Sequence, residues 1–162
     1  MKIVIIGAGH GGLQAAKELS KNGFTVTVYE KNSSDNMGYD WTDIFDPDSL
    51  ELIGLGLPDE DLFEYKTDMT FYSTNEKIAI NQDVPPDELE IKMERKDIYK
   101  HIIDYALKCG VKFQYDYTIE SPIIDGSRVV GIKTDKGDIY GDLIIDACGC
   151  ESPVRRGLPK NW

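Results

Sequence analysis

The sequence lacks any long apolar run. Its longest, residues 3–6 and 143–145, fall far short of the ~18 residues a membrane helix requires. The N-terminus also lacks the apolar core of a secretory signal. A cytoplasmic protein without a transmembrane segment is expected. Cysteine is scarce and odd in number (Cys109, Cys148, Cys150), which excludes a complete disulfide framework and fits a reducing compartment. A four-ligand zinc site would have to draw on Cys109, His10 and His101 beside the Cys148-x-Cys150 pair; these are scattered along the chain, and no metal is expected. Basic residues are in deficit, 18 Lys and Arg against 29 Asp and Glu for a net charge of −11. No clustered Lys or Arg offsets that deficit, so a nucleic-acid surface is excluded. No Ser-His-Asp arrangement suggests hydrolysis.

What remains is the composition of a globular protein. With 41% apolar residues in a chain of 162, a core is expected that buries about two-thirds of the unfolded surface, in one domain or one domain with an appendage. Residues 2–6 read as a buried β-branched strand that runs into glycines. Leu13, Ala16 and Leu19 then recur at helical spacing, and Asn22-Gly23 supplies a left-handed stop. Residues 25–30 read as a second strand, completing a βαβ unit with parallel strands.

Residues 32–92 are harder to read and are assigned to an insertion or a partial substrate or cap region. Asp46-Pro47 resembles a helix start with Leu50 and Ile53 on one face. Residues 67–72 and 77–80 read as short strands about a turn at 73–76. From Arg95, the spacing of Ile98, Ile102, Tyr105 or Ala106, and Cys109 predicts a helix with a buried Cys109, stopped by Gly110. Val111, Phe113 and Tyr115 alternate as a strand. Residues 118–124, 128–134 and 138–140, parted by Asp125-Gly126 and Lys136-Gly137, predict an antiparallel meander. A last buried strand, 143–146, leads to Ala147-Cys148-Gly149, and Ser152-Pro153 resembles another helix start. The predicted fold is α/β: a Rossmann-like parallel sheet of the FAD/NAD(P)-binding class with an inserted β-meander, built from residues 1–31 and 93–162.

Gly7-Ala8-Gly9-His10-Gly11-Gly12 fits G-x-G-x-x-G placed between strand and helix. The first glycine permits the sharp turn, the second lets backbone approach a pyrophosphate, and the third lets helix and strand pack closely. Helix N–H groups and their partial positive charge then face the phosphates. Glu30 ends the second strand eighteen residues beyond Gly12, where a carboxylate accepts from ribose hydroxyls. The pattern points to an adenine dinucleotide. Glu30 disfavours the 2′-phosphate of NADP, an exclusion that Lys31 softens. His10 is read as a backbone N–H donor with an outward ring, and His101 as a surface residue.

Four separated stretches resemble FAD-dependent oxidoreductases of the glutathione-reductase structural type, in the branch of geranylgeranyl reductases and hydroxybenzoate-hydroxylase-like monooxygenases. They are residues 2–31; the run from Met93 to Ile102, similar to Arg-x-x-Leu-x-x-x-Leu with Ile replacing both Leu; residues 117–120; and residues 142–155, similar to Asp-Ala-Ser/Asp-Gly-x-x-Ser-x-Val-Arg. The resemblance implies FAD as cofactor, with NAD(P)H as a possible electron donor. It implies that Arg95 reaches the FAD pyrophosphate and ribose, that Ile119 and its neighbours offer main chain to adenine, and that Ala147, Cys148 and Gly149 line the cofactor.

Departures from the family pattern bear on function. Cys148 replaces the usual Ser or Asp. No Arg follows Glu30 before Arg95, and residues 36–43 lack the Cys found in many such reductases, so both branches stay open. Cys148 and Cys150 are read as small side chains beside a cofactor loop ahead of a redox pair. Asp40, Trp41 and Asp43 invite a catalytic role, since the resemblance implies that this loop lies near the flavin ring, against the simpler reading of a loop anchored by an aromatic. Relatives in this family run to about double this length and hold the flavin ribityl chain with their C-terminal half. The chain is therefore expected to be truncated, with a missing C-terminal half or a partner chain completing the flavin site. Two functions follow: a flavin-dependent oxidoreductase passing hydride to an unknown substrate, or a dinucleotide-binding module without turnover.

Overall fold

The computed structural model describes residues 1–86 and 88–160. The chain divides into two compact units, one from Met1–Gly38 with Tyr99–Trp162, the other from Tyr39–Ile98.

The first unit is built on β1 (Lys2–Ile6), α1 (His10–Lys21) and β2 (Thr25–Tyr29). Ile3, Val4, Ile5 and Ile6 are all fully buried, as expected of a strand covered on both faces. Leu13 and Ala16 turn the apolar face of α1 inward, and Gly23, at φ +84°, ends the turn beyond the helix as the Asn22-Gly23 pair predicts. The two strands run parallel with Ile3 opposite Val26 and Ile5 opposite Val28.

In the second unit lie β3 (Thr42–Phe45), α2 (Asp48–Leu52), β4 (Phe63–Lys66), β5 (Asp68–Tyr72), β6 (Ala79–Asp83) and β7 (Glu90–Glu94). Strands β3, β7 and β4 form an antiparallel sheet in that order, with Ile91 and Met93 of the central strand buried. This sheet escapes sequence reading. The turn at 73–76 does join a β5–β6 hairpin, with Ser73 N–H donating to Ile78 O at 2.9 Å. Helix α2 begins at Asp48, later than Asp46-Pro47 suggests. The Asp46 side chain accepts from the amide of Asp48 at 2.9 Å, so it caps a turn that closes further along.

Helix α3 (Arg95–Lys108) follows β7 directly. Ile98, Ile102 and Ala106 are its buried stripe, and Gly110 sits at φ +90° beyond it. Cys109 lies outside the helix and is only half-buried, not the core residue its spacing suggests. Strand β8 (Lys112–Gln114) is shorter than the alternation of 111–115 implies. Asp116 takes φ +60° and the Tyr117 amide donates to Glu30 O at 2.9 Å, which swings the chain out of the sheet.

The meander appears as β9 (Ile119–Asp125), β10 (Arg128–Thr134) and β11 (Gly137–Tyr140), paired antiparallel in the order β11-β10-β9. It is inserted before β12 (Leu143–Asp146), which lies parallel to β1 with Ile3 opposite Leu143 and Ile5 opposite Ile145. The main sheet is thus β12-β1-β2-β8, parallel throughout. Ile132 of the meander and Val154 of the short helix α4 (Pro153–Arg156) join Val4 and Ile6 in one apolar cluster. This is the α/β fold with an inserted meander expected from the order of elements.

Candidate functional site: a glycine turn over a carboxylate

The three motif glycines, Gly7 and Gly9 between β1 and α1 and Gly12 in the first turn of α1, stand in three different environments. Gly7 has φ +95° and its amide donates to Tyr29 O at 2.8 Å. A Cβ there would lie 2.6 Å from Ala147 O. At Gly12 a Cβ would lie 2.1 Å from Gly7 O, so helix and strand meet more closely than any side chain allows. Gly9 is different: among the described residues, its chain neighbours aside, the only heavy atom within 4 Å of a Cβ is the Tyr99 hydroxyl, at 4.0 Å. The middle glycine is open where the outer two are closed, which is the division of labour that a ligand approaching backbone requires.

Gly9 is also the N-cap of α1, and no side chain caps the helix there and no acid stands in its first turn. The N-terminal dipole is therefore not offset by a side-chain carboxylate in that turn. His10 is exposed and its ring sits 4.6 Å from that of Tyr99. Ala8 is fully buried. Its amide donates to Glu30 Oε2 at 2.8 Å, and the Asn32 amide donates to Oε1 at 2.9 Å. Glu30 is 7% exposed, so this carboxylate is pinned under the glycine turn by two charge-assisted hydrogen bonds. An ionised carboxylate has about four acceptor positions, and both oxygens keep capacity for a further donor. Lys31 is exposed.

The loop after β12 closes the other side of the turn. The Ala147 amide donates to Ile6 O at 2.8 Å. Asp146 Oδ1 accepts from the Cys148 amide at 3.1 Å, and its Oδ2 accepts from the Ser152 hydroxyl. Gly149 adopts φ +73°, and Ser152 caps α4 by accepting the Arg155 amide at 3.0 Å. The Cys148 thiol faces Ile6 O at 3.6 Å. Burial, reinforced by the Asp146 carboxylate and by Glu30 against a smaller opposing effect of Lys31, pushes it up to about 12. Cys148 and Cys150 are free thiols. Asp146 and Ser152 organise this loop, a role that the Asp…Ser spacing could have signalled.

Ile119 begins β9 and packs half-buried against the cluster of Val4, Ile6, Ile132 and Val154. The first unit therefore brings together residues 7–12, Glu30, Lys31, Ile119 and residues 147–149. Arg95 belongs to the second unit. Its guanidinium forms a two-pronged ion pair with Asp43 (Nε to Oδ2 2.7 Å, Nη2 to Oδ1) and lies 4.4 Å from the Tyr39 ring. Trp41 does not anchor its loop. It stands outside β3 as a residue 58% exposed, and its carbonyl accepts the Arg95 amide at 2.8 Å. No group of three or more metal-ligating side chains occurs among the described residues, and no helix among them is long and apolar enough to cross a membrane.

Residues 5–52 match the NAD(P)-binding Rossmann-like domain family, and the chain carries a dinucleotide-binding domain of that class. Over nearly its whole length it is homologous to geranylgeranyl reductases. It is 28% identical over 161 residues to the digeranylgeranylglycerophospholipid reductase of Haloferax volcanii, an alignment covering 96% of this chain and 37% of that protein. The crystal structure of a geranylgeranyl bacteriochlorophyll reductase-like protein from Thermoplasma acidophilum superposes with a TM-score of 0.80 at 21% identity, over 96% of this chain and 41% of the other. The myxobacterial chondrochloren halogenase, a variant of the FAD-dependent halogenases, gives 0.75 at 20% identity over 97% and 39%. At those identities the likeness to the solved structures is one of fold. The chain spans about two-fifths of the length of these relatives.

Proposed function

We propose that the glycine turn holds the ADP half of FAD, within an oxidoreductase whose flavin passes hydride between a nicotinamide donor and an unidentified substrate. The observation that carries this is the contrast between the open Gly9 and the closed Gly7 and Gly12, set above a buried carboxylate that hydrogen-bonds the turn itself. Backbone amides of residues 9–12 take the pyrophosphate, Glu30 the ribose, Ile119 and its neighbours the adenine edge, and residues 147–149 the cofactor's flank. Bound flavin would supply the redox chemistry, and the protein supplies binding, orientation and electrostatics. The relatives' names make an isoprenoid chain the leading substrate class. The free thiols support a reducing, cytoplasmic setting.

The fraction of the relatives' length spanned here favours a second reading, in which these residues act as a dinucleotide-binding module together with further polypeptide, either a missing C-terminal half or a partner chain. The visible spectrum of the purified protein separates the two: flavin absorbance supports the first, and a colourless protein that binds ADP supports the second. The assigned residues address only the ADP half, so ADP is expected to compete with FAD to within about a hundredfold, or 2.7 kcal/mol. A wider gap would mean that residues of this chain also grip the flavin ring.

A further inference from the structure

We propose that Tyr99 is a dinucleotide-binding residue whose hydroxyl donates a hydrogen bond to the pyrophosphate seated on the glycine turn. This rests on the reading of residues 7–12 as the dinucleotide loop.

Gly9 is the motif glycine left open for a ligand, and the one atom bounding that opening within its unit is Tyr99 Oη, 4.0 Å from the Cβ position. A phosphate oxygen touching Gly9 from that side projects beyond the Cβ point. It thereby shortens the 4.0 Å separation toward the ordinary O–H···O range of about 2.5–3.0 Å. The chemistry matches, since phosphate oxygens accept and a phenol donates. The position is also held. Tyr99 sits on α3, one helical turn after Arg95, is half-buried, and rests its ring on that of His10 at 4.6 Å, tilted by 52°. His10 in turn is the first residue of α1. The phenol is therefore carried by two helices, a preorganised donor opposite the backbone amides of the turn. A ligand on the turn meets N–H groups on one side and an O–H on the other.

Tyr99→Phe tests this, because it removes the hydroxyl and keeps the ring against His10. ADP titrated calorimetrically into the purified chain is expected to bind the variant at least about tenfold more weakly, equal to about 1.4 kcal/mol. Adenosine, which has no phosphate, is expected to bind both proteins equally. Equal ADP affinity in the two proteins would overturn the role of Tyr99 while leaving the loop intact. A parallel loss for ADP and adenosine would also overturn it, by reducing Tyr99 to a packing residue. Failure of the unsubstituted chain to bind ADP would instead overturn the reading of the loop, and this proposal with it.

Discussion

Glu30 Oε2 accepts the backbone amide of Ala8 at 2.8 Å, across twenty-two residues of sequence. The carboxylate that the strand-terminal position assigns to a ribose thus also braces the turn assigned to the pyrophosphate, and the two halves of one binding surface share a single side chain.

Replacing Glu30 should therefore affect stability as well as binding. Glu30→Ala leaves the buried Ala8 amide without its acceptor, and a hydrogen bond to a charged group contributes about 1.5–3 kcal/mol. A loss of this order is expected in urea denaturation, with ADP affinity falling by a similar amount in calorimetry. Glu30→Gln keeps an acceptor oxygen for Ala8 and should show a smaller stability loss. Equal stability of Glu30→Ala and the parent would remove the bracing role.

Gly9 and Gly12 should separate function from folding. Gly12→Ala places a Cβ 2.1 Å from Gly7 O, a backbone atom that cannot give way, and is expected to cost at least the ~1–3 kcal/mol of overpacked sites. Gly9→Ala meets only the Tyr99 hydroxyl at 4.0 Å, at φ −72°, where alanine is at ease. Its melting temperature should match the parent's while ADP binding is lost. Retained ADP affinity in Gly9→Ala would argue against ligand approach at this glycine.

Cys148 should be the slow thiol. With its pKa pushed up to about 12 by burial and the Asp146 carboxylate, very little thiolate exists at pH 8, and the thiolate is the nucleophile. Exposed Cys150 is expected to alkylate with iodoacetamide well before Cys148, as read by peptide mass spectrometry. Because the folded pKa lies above the ordinary value of 9.0, the protonated thiol's contribution to stability is complete below about pH 9 and is lost as pH rises toward 12. Cys148→Ser should flatten that alkaline decline.

Ser152→Ala should loosen the loop after β12. Ser152 is buried and holds both the Arg155 amide and Asp146. Loss of an N-cap costs about 0.5–2 kcal/mol, and faster amide exchange at Arg155 is the measurement that localises it. Protection unchanged at Arg155 would assign the cap no weight.

What the sequence determined by itself was local. The apolar run at 2–6, the helical recurrence of Leu13 and Ala16, the glycine spacing and the turn pairs Asp125-Gly126 and Lys136-Gly137 each express a preference of neighbouring residues, so the βαβ unit, the meander and the residues of the turn were legible. The sheet of β3, β7 and β4 was not. Apart from Ile91 and Met93 its strands are half-buried or exposed, and Asp43 meets Met93 only through antiparallel pairing across some fifty residues. Tertiary structure alone decided that Lys17 is fully buried, with its ammonium 3.1 Å from Glu18 and 5.7 Å from the Tyr105 ring centroid, because a charge on the helix's inner side is tolerated only where partners from elsewhere converge. It also decided that Asp43 engages Arg95 and that Tyr99 stands over Gly9. Spacing reports which face of an element a residue occupies, and only the packing of distant elements reports what that face meets.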